Sequence, residues 1–129
     1  KTVLQIVAAT NHRVRILSWS VFFDGASGSA VPVIVRLLRQ TTAGTMSAAT
    51  PVKNDDSIAE TLLTTGQKTA TVEPTAGDVL KVIEVHPQSG YEEVSAFGQE
   101  YIVGGSDRIG IECTAPAIVN VIANFKFEE

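Results

Sequence analysis

Only one of the 129 residues is cysteine, only two are histidine, and aromatic side chains make up just 6% of the chain. A lone cysteine forms no internal disulfide, so stability must come from packing or from contacts between subunits. Cys113 falls on the apolar side of an alternating run, where a free thiol behaves as a small buried hydrophobe. His12, in a turn, and His86, before Pro87, lack the paired spacing of a zinc site, so neither a metal nor another cofactor is expected. No apolar run reaches the roughly 18 residues of a membrane-spanning helix, and Lys1-Thr2 does not begin a signal peptide, so no membrane partner is expected. Basic charge is also short, with 10 Lys and Arg against 14 Asp and Glu. A net charge of -4 argues against a general nucleic-acid binder, which needs a cationic footprint. Arg13, Arg15, Arg36 and Arg39 therefore read as a solvated or ion-paired strand face rather than a phosphate-binding stripe.

What the chain does contain is strict alternation. Near the C-terminal end, Val119, Val121, Ala123, Phe125 and Phe127 share one face, while Asn120, Asn124, Lys126 and Glu128 share the other, the period-2 mark of a half-buried strand. Before Thr114-Ala115-Pro116, Ile109, Ile111 and Cys113 alternate with polar residues, which predicts that the two runs pair as a hairpin. Further strands are expected over residues 2–10, 13–23, 31–40, 79–86, 91–97 and 99–103, with an extended piece at 70–74 and a turn at 75–78. A small loop is expected at 26–30, short strand pieces and loop over 41–56, and strand rather than helical turn over 58–65. Gly104-Gly105-Ser106-Asp107 reads as a tight hairpin turn. Eight to ten short strands without an amphipathic helix predict one all-β domain over residues 1–129. An antiparallel β-sandwich, wired as a single jelly roll, suits the length and strand count best.

No group of residues announces a reaction, and the chain is expected not to be an enzyme. Asn54-Asp55-Asp56 lacks the glycine and glutamate offsets of a calcium loop and reads as local turn capping. Glu92 and Glu93 are adjacent on a strand and point to opposite faces, so they cannot act as a dyad. Glu84, Glu100 and Glu112 lie on separate strands, and their spacing leaves open whether they meet. The second face of the strands is more informative. If Leu17, Trp19, Val21 and Phe23 line the interior, Ile16 and Phe22 point outward, as do Ile118 and Ile122 in the last run. Apolar residues on both faces suggest a sheet covered by another copy, so Ile16, Phe22, Ile118 and Ile122 are the expected subunit interface. A closed cyclic assembly, a homotrimer in particular, is the expected form.

The stretches Ser20 to Gly25 (SVFFDG), Pro32 to Gly44 (PVIVRLLRQTTAG), Glu73 to Asp78 (EPTAGD), Glu84 to Pro87 (EVHP) and Ser106 to Pro116 (SDRIGIECTAP) span most of the length. In these the chain resembles a group of small structural proteins of tailed bacteriophages and prophages. The resemblance implies a virion structural protein, most similar to a head decoration or cement protein that binds the phage major capsid protein, made in the host cytoplasm and placed on the capsid surface. It carries no catalytic signature. The competing expectation is a carbohydrate- or receptor-binding jelly roll of a head or tail fibre, for which Tyr91 and Tyr101 are the candidate stacking residues.

Overall fold

The computed structural model describes residues 1–24 and 31–129. The loop expected at 26–30 lies outside them. Among the described residues ten strands follow one another: β1 (Thr2–Val7), β2 (Val14–Asp24), β3 (Val33–Gln40), β4 (Thr45–Ala49), β5 (Thr65–Val72), β6 (Ala76–Val85), β7 (Gly90–Val94), β8 (Tyr101–Val103), β9 (Arg108–Thr114) and β10 (Asn120–Glu128). All the pairings are antiparallel. One sheet runs β4-β5-β1-β9-β3-β6, and the other runs β10-β2-β7, with β8 also beside β2. The two sheets face each other across one apolar core, which holds Ile6, Ile16, Trp19, Val21, Leu37, Ile109 and Ile111. The architecture is thus an all-β, sandwich-like pair of antiparallel sheets.

Two predicted hairpins are not formed. β9 pairs with β1 and β3 in the larger sheet, whereas β10 pairs with β2 in the smaller one. The chain at Thr114-Ala115-Pro116 therefore crosses between sheets. The same holds at Gly104-Gly105-Ser106-Asp107, which links β8 in the smaller sheet to β9 in the larger. That turn is tied to β1 by Ser106 N–H to Ala8 O at 3.2 Å and Ala8 N–H to Asp107 O at 3.1 Å. Its Gly105 packs so closely on Thr10 that a Cβ there would lie 2.0 Å from the Thr10 carbonyl oxygen. Matched alternation identifies which face of a strand is apolar, but not which strand lies beside it. Two smaller expectations also change: residues 58–64 form no strand, and β6 begins at Ala76, inside the expected turn.

A bulge in β2 reverses part of its inside-outside assignment. β10 pairs in step from Asn120 opposite Asp24 to Lys126 opposite Ser18, but Phe127 then faces Ile16, leaving Leu17 as an extra residue. An extra residue shifts the alternation by one, so Val14 and Ile16 point inward on one side of the bulge while Trp19, Val21 and Phe23 point inward on the other. Ser95 stitches the irregularity, its N–H reaching Leu17 O at 2.8 Å and its hydroxyl Ile16 O at 3.0 Å.

In the larger sheet, β3 and β4 run antiparallel to β6 and β5 as one long ribbon, bridged by Thr41 N–H to Thr75 O at 2.9 Å. Its first half lies beside β9 and its second half beside β1, so the ribbon bends across the β1–β9 pair. Beneath that bend a polar set is sealed from water: Gln5 Nε2 donates to Gln40 Oε1 at 2.5 Å, and Gln40 Nε2 donates to Thr2 Oγ1 at 2.9 Å. Gly110 makes room for the Gln40 amide.

Candidate interaction surface

The pairings lay out the outer face of the smaller sheet row by row. Ile122, Phe22 and Gly90 form one row across β10, β2 and β7; Asn124, Ser20 and Glu92 form the next; Lys126, Ser18 and Val94 follow. Only the first row is continuously apolar, and Phe22 occupies the space left by Gly90, where a Cβ would lie 2.0 Å from Phe22 Cδ1. In the second row Asn124 Nδ2 donates to Ser20 Oγ at 3.2 Å, a polar ladder that water can share. Three of the four expected interface residues are exposed here, Phe22 at 43%, Ile122 at 62% and Ile118, in the turn before β10, at 97%. Ile16 is not among them. It is fully buried in the subunit's own core, because the Leu17 bulge turns it inward. The apolar outer surface thus groups at the Phe22–Ile122 end of the sheet, with Val94 exposed by itself two rows away.

A second cluster joins the two sheets at their edges. Glu93 on β7 shares the inward face with Tyr91, and its carboxylate accepts from the Tyr91 hydroxyl at 2.8 Å, from the Tyr101 hydroxyl at 2.9 Å and from the Lys81 ammonium of β6. Burial alone would raise the Glu93 pKa, but the hydrogen bonds from Lys81, Tyr91 and Tyr101 outweigh it and hold the carboxyl below its ordinary value. The hydrogen bond to Glu93 raises the Lys81 pKa. Burial, then the Glu93 contact, raises that of Tyr101. Tyr91 also packs on Trp19, ring centres 5.3 Å apart, and Lys81 stands 5.4 Å from the Tyr91 ring centre. Both tyrosines are half-buried with their hydroxyls turned to Glu93, so neither offers the free ring expected of a sugar platform. Sequence reading missed Lys81 and the clasp. The available signal was a carboxylate in phase with the inward residues of its strand.

The remaining ionisable groups are dispersed or engaged locally. Asp55 accepts from Ser57 N–H at 3.0 Å and its hydroxyl at 2.5 Å, the capping expected of it, which lowers its pKa. Glu112 pairs with Arg36 at 3.3 Å, and His86 Nδ1 accepts from Gln88 N–H at 3.2 Å. Glu84, Glu100 and Glu112 do not converge: among the described residues no group of three or more His, Cys, Asp or Glu could hold a metal ion. Burial pushes the Cys113 thiol up to about 12, well away from the thiolate that reactive cysteines need. No helix among the described residues is long and apolar enough to cross a membrane.

Two recesses lie among the described residues. One, of about 300 Å³, lies between the end of β3 and the turn before β9 and is lined by Arg39, Asp78, Asp107 and Arg108 among others. The larger, about 640 Å³, lies where the loop over residues 51–62 meets the end of β10. That loop is organised by Lys53, whose ammonium donates to Ile58 O at 2.5 Å and Glu60 O at 2.6 Å. The following segment is anchored by Glu129, which accepts from the N–H groups of Leu63 and Thr64 at 2.9 and 2.8 Å. Compared with protein-family models, with curated proteins and with solved structures, the chain matches none.

Proposed function

We propose that this chain is a non-enzymatic virion structural protein, a capsid decoration or cement protein that binds the major capsid protein of a tailed phage and stabilises its shell. The observation that carries the reading is the apolar end of the smaller sheet, where Ile118, Ile122 and Phe22 stand exposed among the described residues. Large exposed aliphatics grouped at one end of a sheet mark a surface made to meet protein. Contacts repeated around a shell add through avidity, so each can be individually weak. Self-association into a closed ring, a homotrimer, belongs to the same proposal.

Jelly-roll wiring is also part of it. What supports it is the order β1-β9-β3-β6 in one sheet with β2 beside β7 and β8 in the other, the arrangement produced by a rolled-up antiparallel ribbon. The β4–β5 hairpin departs from that scheme by joining the larger sheet next to β1.

Sedimentation of the purified chain, alone and mixed with emptied or expanded phage heads, tests the proposal. The expected result is a trimer that cosediments with heads, and an Ile122→Asp variant that keeps its far-ultraviolet spectrum but loses association. Wild-type protein that leaves heads bare, or unchanged association in the variant, overturns it.

A further inference from the structure

β10 is nine residues long and, among the described residues, pairs with β2 on one side only. The direction of its free hydrogen-bonding groups follows from one bond. Phe23 N–H donates to Ser89 O on the β7 side at 2.9 Å, and successive residues of a strand turn their N–H and C=O to opposite sides. Phe22 therefore turns to β10, where it is paired with Ile122, and Ile122 turns back to β2. By the same alternation Val121, Ala123 and Phe125 direct their N–H and C=O away from the sheet, spaced about 6.8 Å apart. Among the described residues no turn or side-chain hydrogen bond takes them up. The strand has no proline, and no positive φ interrupts it. Its charges, Lys126 and Glu128, stand at the far end of the strand, so the stretch from Val121 to Phe125 has neither charge nor proline to blunt the edge.

The inner face of the same strand is incompletely covered. Val121, Ala123, Phe125 and Phe127 pack on the core yet stay only half-buried. The strand's far end opens into the recess of about 640 Å³, whose apolar wall is made by Leu17, Val52, Ile58, Leu62, Phe125 and Phe127. Around that wall stand Asp55, Glu60, Glu128 and Glu129 against Lys53 and Lys126, and with Arg15 3.9 Å from Glu128 the rim keeps a surplus of one carboxylate.

We propose that the open edge of β10 is a strand-addition site that takes an extended, basic segment of a partner protein, with apolar side chains at alternate positions. Only extended backbone can match a row of amides at this spacing, which fixes the conformation of the occupant. Side chains pointing inward from the added strand complete the half-covered row and enter the recess, so these are apolar. The acidic surplus at the rim selects lysine or arginine flanks, because opposite charge lowers the cost of approach. The proposal rests on the structural-protein reading for the identity of the partner, but not for the chemistry of the edge.

The test uses a labelled nine-residue peptide of alternating valine and threonine between terminal lysines, with binding followed by fluorescence anisotropy. In antiparallel addition, as for every pairing within the two sheets, inward-facing valines place their N–H groups toward β10, so N-methylation of the valines is expected to weaken binding about tenfold or more, whereas N-methylation of the threonines leaves it intact. Ala123→Pro removes an amide that has no partner within the subunit and is expected to cause the same loss, with thermal unfolding as its folding control. Should that variant not fold, the methylated peptides carry the test. Terminal glutamates are expected to weaken binding relative to lysines. Absence of binding, indifference to which residues are methylated, or loss of self-association in Ala123→Pro, which would assign the edge to a second copy, overturns the proposal. Wild-type chain that binds peptide but not heads refutes the capsid reading alone. Head binding without peptide binding refutes only this one.

Discussion

At the scale of single residues, Ile16 and Ile122 belong to the same β2–β10 pair, on opposite sides of its register shift, and have opposite fates, the first fully buried and the second largely exposed. Truncating a buried isoleucine removes transfer energy and leaves a cavity, so Ile16→Ala is expected to cost about 2–5 kcal/mol in urea unfolding. An exposed position tolerates change within about 0.5 kcal/mol, which is why Ile122→Asp can report on association rather than folding. A small effect at Ile16 would show that the bulge does not turn that side chain inward. Trp19, Val21 and Cys113 are as buried as their alternation predicts, and these were legible because each lies within an uninterrupted stretch of period 2. Ile16 was not, because it lies across Leu17, and nothing in the local residue pattern announces an extra residue in the ladder.

At the scale of elements, the ribbon formed by β3–β4 and β5–β6 owes its bend to what it covers. Gln40 is 4% exposed and links Gln5 to Thr2, so removing its side chain leaves two buried polar groups without their partner. Gln40→Ala is expected to destabilise the fold by about 1–3 kcal/mol in denaturant unfolding. A neutral result would mean that the ribbon bend admits water. The Gln5–Gln40–Thr2 set was invisible in sequence since its members belong to strands that are not neighbours in the chain. The Thr41 to Gly44 stretch reads as loop, whereas its partner stretch shows its purpose only once Thr75 is seen beside Thr41.

At the scale of the whole molecule, the Lys81–Glu93 clasp and the buried Cys113 set opposite limits on the pH range of stability. Glu93 has its pKa lowered on folding, so its contribution is complete above the unfolded carboxylate value of 4.5 and is lost as pH falls through the folded value. Glu129, held by Thr64 and Leu63 despite the opposing effect of burial, acts in the same direction. On the alkaline side Cys113 rises from 9.0 to about 12, so the unfolded chain ionises first and stability falls between those values. Lys81 and Tyr101, both raised from 10.5 and 10.0, add to the same decline: each favours its protonated form in the folded state. Thermal unfolding followed across pH is expected to show a plateau from about pH 5 to 9 with losses on both sides. Glu93→Gln is expected to shorten the acid limb; an unchanged limb would remove the clasp from the account.

By itself the sequence determined the all-β class, the burial of Cys113 and Trp19 and the outward setting of Phe22 and Ile122, since a side-chain period of two is a local property of extended backbone. Only the tertiary structure decided that β9 and β10 part into different sheets, that Ile16 turns inward, and that Lys81, Tyr91, Glu93 and Tyr101 meet. The physical reason is that strand neighbours are chosen by hydrogen bonding and core packing over long separations. Alternation constrains which face is buried, but it carries no information about who lies next in the sheet.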